Sequence, residues 1–482
     1  MAIQSEPFDR SFDQQDHFSN DYSYTVPYDV SSRKLSGTDY QDMYNSIFEY
    51  FTYYIDEQPN NMSGKYFHRD IDKYVYEMAK GNFDTIFDID IDCIIQRIVC
   101  DAGDEFFKSV IPRRVYADTL WCSRNPNIPL LEEKIRVVES RPQPDQRTEA
   151  WYTFRNGVLT ASNAWKAFST PGAVNQLIYE KCQPVVSRAP KINDLGRASV
   201  SVDTSLHWGV KYEPLSTMLY EFIYDTEVGE FGCVPHGRIQ FLAASPDGIN
   251  TKKTSSLYGR MLEIKNIVNR EIDGNPKPEY WIQMQLQMEV CDLDDCDFLE
   301  TRFVEYDSYE EFMTDSDPDK PFEYTMDGQR KGMFLYLDNN GIPSYYYPPM
   351  GCTSKEYFEW EVATITEYSD MTLIRTICWK LDEISCVLVL RNKLWFEYAE
   401  RVLGCIWKTI QTERISGYEH RAPKKKPKLA AATKNPNDIS GMLLTWEKDI
   451  SGNYSSRSKT PDSVGSELQH KCLINIPDDY LN

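Results

Sequence analysis

Apolar residues return at helical spacing along several stretches of this chain. Tyr40, Tyr44, Ile47, Phe51 and Ile55 make one stripe, which predicts a helix beginning near Tyr40. Similar stretches pass through Tyr74 and Met78, and through Ile94, Ile95, Ile98 and Val99. Residues 38–140 therefore read as a helical N-terminal domain, patterned most clearly over 38–125, with packing as its expected role. The preceding residues 1–37 are polar and acidic without periodicity, which predicts disorder. The polar run Ser140-Arg-Pro-Gln-Pro-Asp-Gln-Arg reads as a boundary loop, and mixed α/β patterning follows over 141–310. Residues 311–417 read as an α+β extension. It opens with an acidic, proline-bearing loop over 311–330, then shows a buried strand at Ile384–Leu390. An amphipathic helix follows through Trp395, Phe396, Ala399, Val402, Ile406 and Ile410. Residues 418–482 read as a disordered tail. It contains the basic cluster Arg421-Ala-Pro-Lys-Lys-Lys-Pro-Lys-Leu, which suits a nuclear import signal or a DNA tether.

Composition changes this picture in a few respects. The 482 residues, 41% of them hydrophobic, are enough for two or three domains with a sizeable core. A net charge of −22 argues against a broad nucleic-acid surface and confines any phosphate-binding groove to a local patch. The twelve cysteines include no Cys-x-x-Cys, and Cys291 and Cys296 lack a second ligand pair at zinc spacing, which suits reduced thiols inside a cell. No signal peptide and no apolar run of bilayer length is visible, so the expectation is an intracellular protein without a membrane partner.

The candidate chemistry centres on Ser245-Pro-Asp-Gly followed by Leu262-Glu-Ile-Lys. On an extended strand Glu263 and Lys265 share one face, while Leu262 and Ile264 face the core. Asp247, at a turn bordering a neighbouring strand, can then meet Glu263 across the sheet. Two carboxylates with the Ile264 backbone carbonyl between them are a hard-oxygen set suited to Mg²⁺, with Mn²⁺ as a substitute. Lys265 is placed to orient a water and offset charge on a phosphate. Alone, Glu-x-Lys is common on strands and Pro-Asp-Gly is usually a turn; their order and spacing together carry the reading. Glu213, in His207-Trp-Gly-Val-Lys-Tyr-Glu-Pro, falls on a helix where its carboxylate can turn toward the same metal. Upstream, Arg155, Thr160 and Ser162 combine a phosphate clamp with a helix N-cap. Downstream, Tyr280-Trp-Ile-Gln-Met-Gln-Leu-Gln places Gln283 and Gln287 on one helical face, where a glutamine can hydrogen-bond the attacking water or a phosphate oxygen.

These five blocks, in this order, resemble the YqaJ and phage lambda exonuclease family over about residues 145–305. The resemblance implies a restriction-endonuclease-like PD-(D/E)xK core, a mixed sheet flanked by helices, that hydrolyses DNA from a 5′ end with one or two Mg²⁺. It implies Asp247, Glu263 and Lys265 as the central triad and Glu213 as an added carboxylate. Arg155, Thr160 and Ser162 would hold the terminal phosphate, and Gln283 would lie near the metal-bound water. The chain departs from the family at Lys265-Asn-Ile, where many relatives have Lys-Cys-Pro, and it adds long segments at both ends. Long forms of this kind look like those of large DNA viruses. The expected function is a metal-dependent DNA exonuclease in viral recombination, repair or genome processing, working in the host nucleus or a cytoplasmic replication site. A structure-specific endonuclease and a non-catalytic DNA-binding factor are the alternatives. A single-strand annealing protein as partner, and a homotrimer, are what the phage relatives suggest.

Overall fold

A computed structural model of the chain describes residues 36–83, 91–117, 126–145, 148–185, 191–192, 198–202, 204–423, 447–448 and 454–455. The predictions of disorder over 1–37, and of the role of the basic cluster at Lys424–Lys428, fall almost wholly outside the described residues.

The chain begins with helices. Ser36 caps α1 (Gly37–Glu57): its hydroxyl accepts from the Asp39 N–H, and the Asp39 carboxylate accepts from the Ser36 N–H, both at 3.1 Å. The inward face of α1 carries Met43, Ile47, Phe51, Tyr54 and Ile55. Tyr40 and Tyr44, part of the stripe read from sequence, lie half-buried at its border. The next helix, α2 (Phe67–Phe83), buries Phe67, Ile71, Val75 and Ala79, so its core line is one residue on from Tyr74 and Met78. The small Val75 and Ala79 allow close approach of the helices, and Tyr74 flanks the line, its ring 5.0 Å from Tyr54. In α3 (Asp92–Ser109), Gly103 faces Phe51; a Cβ there would lie 3.1 Å from that ring. The absent side chain lets Phe51 stack on Phe106, centroid to centroid at 5.3 Å.

This helical group contains a pH-dependent stability element. The His68 Nε2 accepts a hydrogen bond from the Arg114 N–H at 2.9 Å, which requires a neutral ring at that nitrogen. Burial, then the Arg113 and Arg114 charges, push the His68 pKa down to about 3. Below its ordinary value of 6.5 the unfolded chain takes up a proton that the folded chain refuses. Stability from His68 is therefore complete above pH 6.5 and falls as pH drops toward 3, by about 2 kcal/mol at pH 5. Asp72, pushed up to about 6 by burial, acts oppositely between pH 3.8 and 6. Comparing His68→Gln with wild type isolates the histidine. The urea midpoint should fall less between pH 7 and pH 5 in the variant, and equal falls would refute the assignment.

After α4 (Ile128–Ser140) come α5 (Glu149–Asn156), β1 (Leu159–Thr160), the single turn α6 (Ala161–Ala164) and α7 (Pro171–Cys182). The short pair β2 (Lys191–Ile192) and β3 (Ala198–Ser199) precedes α8 (Ser205–Tyr224). Strands β4 (Val228–Gly229), β5 (Val234–Pro235), β6 (Leu242–Ala244), β7 (Gly248–Asn250) and β8 (Met261–Asn266) lead to α9 (Pro278–Cys291) and β9 (Asp295–Glu305). Beyond α10 (Tyr309–Thr314) lie β10 (Lys331–Asn339), β11 (Ile342–Tyr346), α11 (Ser354–Glu367), β12 (Thr372–Leu390) and α12 (Lys393–Ser416).

Seven strands form one mixed sheet in the order β11-β10-β12-β9-β8-β7-β4. Only β8 and β9 run parallel within it, because α9 carries the chain from one to the other. A smaller sheet, β1-β6-β5, stands beside it. The period of two decides what each face meets. Leu262 and Ile264 of β8 pack with Leu299 of β9 and Tyr220 of α8. Met261, Glu263 and Lys265 project to the other face, where Met261 joins the core built with α9, α12 and the N-terminal helices. That core is continuous from Met43 to Ile410.

The strands of the 311–417 segment extend this same sheet. The 19-residue β12 pairs antiparallel with β9 from Trp379↔Glu305 to Leu390↔Asp295, absorbing a bulge between Leu381 and Glu383. Asn392 then caps α12, its Oδ1 accepting from the Trp395 N–H at 2.9 Å, and Trp395 packs edge-on against Trp281 of α9. In the expected loop over 311–330, the first residues instead complete α10, which Ser308 caps through the Glu311 N–H.

Candidate active site

The register of β7 against β8 builds the site. Gly248 lies opposite Leu262, so Asp247, one residue before β7, comes opposite Glu263. With no β7 residue left to pair there, the Asp247 Oδ2 accepts the Ile264 N–H at 2.7 Å. In an extended strand the N–H and C=O of one residue point to the same side. The Ile264 carbonyl therefore faces the same edge as the Asp247 carboxylate. A bulky neighbour is also kept away: Gly248 packs so closely on Val228 that a Cβ would lie 2.1 Å from its side chain.

Glu263 is fully buried and held from both sides. Its Oε1 accepts from the Lys265 ammonium, two residues along the same face. Its Oε2 accepts from Gln287 Nε2 at 2.7 Å, and the same amide nitrogen reaches the Ser245 carbonyl at 3.1 Å. Gln287 thus fastens α9 both to β8 and to the turn that carries Asp247. The Lys265 ammonium also lies over the Tyr280 ring, 5.2 Å from its centroid.

Charges in this cluster shift one another. Burial, then the neighbouring Glu263 carboxylate, pushes Asp247 well above the ordinary carboxylate range; Glu213 adds to the rise, while Lys265 and the Ile264 N–H oppose it. Burial works against the charged form of Lys265, but Glu263 and Asp247 outweigh it and hold its pKa above that of an ordinary lysine.

Two carboxylates crowded together, one of them pressed toward its protonated form, plus a carbonyl facing the same edge, fit a divalent cation. The cation's charge would relieve the repulsion that raises Asp247. Glu213 comes from another element. It projects from α8, which packs on the opposite face of the sheet, and is exposed. Among the described residues no three His, Cys, Asp or Glu side chains stand close enough to hold a metal. The Glu213 charge nevertheless reaches Asp247 and raises its pKa.

The upstream residues form a separate group. Arg155 Nη2 donates to Ser162 Oγ at 3.3 Å, and Ser162 Oγ lies 3.4 Å from Thr160 Oγ1. The guanidinium rests 4.5 Å from the Trp151 ring centroid. Ser162 is exposed and Thr160 buried, so the group opens to solvent through the serine. The expected N-cap is present at Thr160, with its N–H on Asn163 Oδ1 at 3.1 Å, but α6 is only four residues long. Thr160 lies beside Ala243 in β6, the strand that runs into the Ser245–Asp247 turn; no described contact joins this group directly to the carboxylates. Lys181 secures it from behind by donating to the Arg155 and Val158 carbonyls, each at 2.6 Å.

Among the glutamines, Gln287 holds Glu263, and the Gln283 side chain makes no hydrogen bond among the described residues. The spacing of four puts both on one face of α9, and helical periodicity says nothing about which turn lies level with Glu263. That depends on where α9 starts after β8, at Pro278, fourteen residues past Ile264 in a connection whose length sequence patterning does not interpret.

Residues 150–294 match the family model described as the YqaJ-like viral recombinase domain. Uncharacterized protein R354 of Acanthamoeba polyphaga mimivirus is 32% identical over 330 residues, 61% of this chain and 56% of that protein. The chain thus spans little more than half the length of this curated relative. Among solved structures, the alkaline exonuclease LHK-Exo of Laribacter hongkongensis is similar with a TM-score of 0.31 and 18% identity, over 55% of this chain and 94% of that one. LHK-Exo in complex with dAMP is similar with a TM-score of 0.30 and 17% identity over the same shares. The segment that brings Asp247, Glu263 and Lys265 to one sheet edge lies within residues 150–294, the part of this longer chain that is similar to the YqaJ-like viral recombinase domain.

Proposed function

We propose that this chain is a metal-dependent DNA nuclease and that it acts as a 5′-end-directed exonuclease on duplex DNA, in recombination, repair or genome processing. The observation that carries this reading is the meeting of Asp247, Glu263, Lys265 and the Ile264 carbonyl at the point where β7 stops pairing with β8. Asp247, Glu263 and that carbonyl would hold Mg²⁺ or Mn²⁺. When bound, the cation supplies Lewis-acid polarisation of the scissile phosphate and a water of lowered pKa. Gln287 fixes the Glu263 carboxylate so that it meets the cation without reorganising. Lys265, held charged beside Glu263, would meet a phosphate oxygen or the attacking water. Arg155 and Ser162, opening to solvent beside the site, suit a terminal phosphate, the group that distinguishes a DNA end from its interior.

Linear duplex DNA and a covalently closed circle of the same sequence, incubated with Mg²⁺ or EDTA, test the reading. Wild type should degrade the linear form alone and only with Mg²⁺, and 5′-phosphorylated ends should be consumed before 3′ ends. Glu263→Gln keeps the shape of the buried group but removes its charge, and should lower the rate by about 10³-fold or more. Cleavage of the circle would replace the exonuclease with an endonuclease. Metal-dependent cleavage of neither, by folded protein that binds DNA, would leave a non-catalytic DNA-binding factor.

A further inference from the structure

The connection from β8 to α9, residues 267–277, follows the strand bearing Glu263 and Lys265 and leads to the helix bearing Gln287. It is gripped by residues outside the matched domain. Arg114, just after α3 and 2% exposed, spreads its guanidinium over three oxygens. Nη1 donates to the Asn275 side-chain oxygen, Nη2 to the Pro276 carbonyl, and Nε to the Ser63 carbonyl at 3.3 Å. Its own carbonyl accepts the Trp281 indole N–H at 3.2 Å, and its Cζ stands 5.8 Å from the Trp281 ring centroid. A second tie lies alongside: Lys65 pairs with Asp273, and the Asn275 amide donates to the Lys65 carbonyl at 3.0 Å. Between these anchors Gly274 turns the chain with φ of 64°, a conformation that costs glycine little.

These bonds fix where α9 begins. Pro276 and Trp281 bracket its first turn, and that turn carries Tyr280, whose ring lies under the Lys265 ammonium. Arg270, from the same connection, approaches the same ring at 5.6 Å and pairs with Glu300, which lies opposite Lys265 on β9. A shift of the connection would therefore move Tyr280 and the surroundings of Lys265 together. The planar, five-donor arginine head suits this task, since it can satisfy several fixed acceptors at once.

We propose that Arg114 is a positioning residue for the catalytic centre: the N-terminal helical group braces the β8–α9 connection through it, and so holds Tyr280 against Lys265. This rests on the nuclease reading only for its effect on rate; the brace itself is a property of the fold.

Full-length wild type, Arg114→Met, Asn275→Ala and the double variant decide it. The Asn275 change is the milder one, since it removes one acceptor from a half-buried loop and leaves Arg114 in place. Hydrogen exchange of the 267–281 amides should be at least about 10-fold faster in Arg114→Met and measurably faster in Asn275→Ala. Single-turnover cleavage of linear duplex at saturating Mg²⁺ should fall by about 10–100-fold in Arg114→Met. Duplex affinity in EDTA should stay within about twofold, a separation that general loss of structure would not produce. If both residues act through one link, the double variant is no slower than Arg114→Met. Unchanged exchange over 267–281 in Asn275→Ala and Arg114→Met overturns the brace. A folded Arg114→Met that cleaves within about twofold of wild type, or loses rate only in proportion to duplex affinity, overturns the positioning role. A wild type that cleaves nothing removes the nuclease reading, and the exchange measurement still decides the brace.

Discussion

An Asp247→Asn chain is expected to bind Mn²⁺ at least about 10-fold more weakly than wild type and to cleave duplex DNA about 10³-fold more slowly. Without metal it should unfold at the same or a higher temperature. The three effects share one cause. Burial and the Glu263 charge make the ionised form of Asp247 costly in the metal-free protein. Asparagine removes that repulsion and still offers an oxygen to the Ile264 N–H, so the metal-free fold loses nothing. It also removes a charge the cation needs. The sign with pH follows. Because the folded pKa of Asp247 is raised, the metal-free chain carries a proton there above pH 3.8, and metal binding must expel it. Mn²⁺ affinity of wild type should therefore rise with pH, by up to about tenfold per unit, until that raised pKa is passed. The Asp247→Asn chain should have a flatter profile. Mn²⁺ titration followed by electron paramagnetic resonance measures both chains, and equal affinities and equal slopes would remove Asp247 from the metal site.

Asp297→Ala should be the most destabilising single change near the site, costing about 3–5 kcal/mol. Asp297 lies on β9, wholly buried on the α8 face of the sheet. It pairs with Arg260 at 3.1 Å, itself 3% exposed, and accepts from the Tyr220 hydroxyl at 2.7 Å. The Tyr220 oxygen in turn accepts from Asn250 at 3.1 Å, and Asn250 accepts from Thr226 at 2.7 Å. This chain of bonds joins α8, β7, the turn before β8, and β9 directly behind Glu263. Alanine deprives Arg260 of this carboxylate where little water reaches, and leaves the Tyr220 hydroxyl without its acceptor. Replacing both ions, Asp297→Leu with Arg260→Met, should recover a good part of the loss, because the cost comes from an unmatched charge more than from a missing attraction. Urea unfolding of the three variants checks this; a loss under about 1 kcal/mol for Asp297→Ala would show that the network is not the support it is drawn to be.

The two cases differ in how far the linear chain disclosed them. Asp247, Glu263 and Lys265 stand close in sequence, within nineteen residues; alternation along one strand pairs Glu263 with Lys265, and the turn just before the adjacent strand brings in Asp247. Asp297, Arg260 and Tyr220 have no local pattern to join them: each reads as an ordinary strand, turn or helix residue until the sheet order makes them neighbours. The same holds for Gln287, which the length of the β8–α9 connection brings level with Glu263.

Sequence alone determined the local elements: the α1 stripe, the α12 stripe, and the Asp-turn before a Glu-x-Lys strand; the mixed sheet flanked by helices came from the family resemblance. Helical and strand periods are properties of neighbouring residues, so they survive in one dimension. Tertiary structure alone decided that β10, β11 and β12 prolong the sheet that carries Glu263 and Lys265, that the N-terminal helices share its core, and that Arg114 reaches across 161 residues to Asn275. Those outcomes depend on which apolar faces cover one another, and hydrophobic burial is non-directional: it requires that a face be covered without naming what covers it.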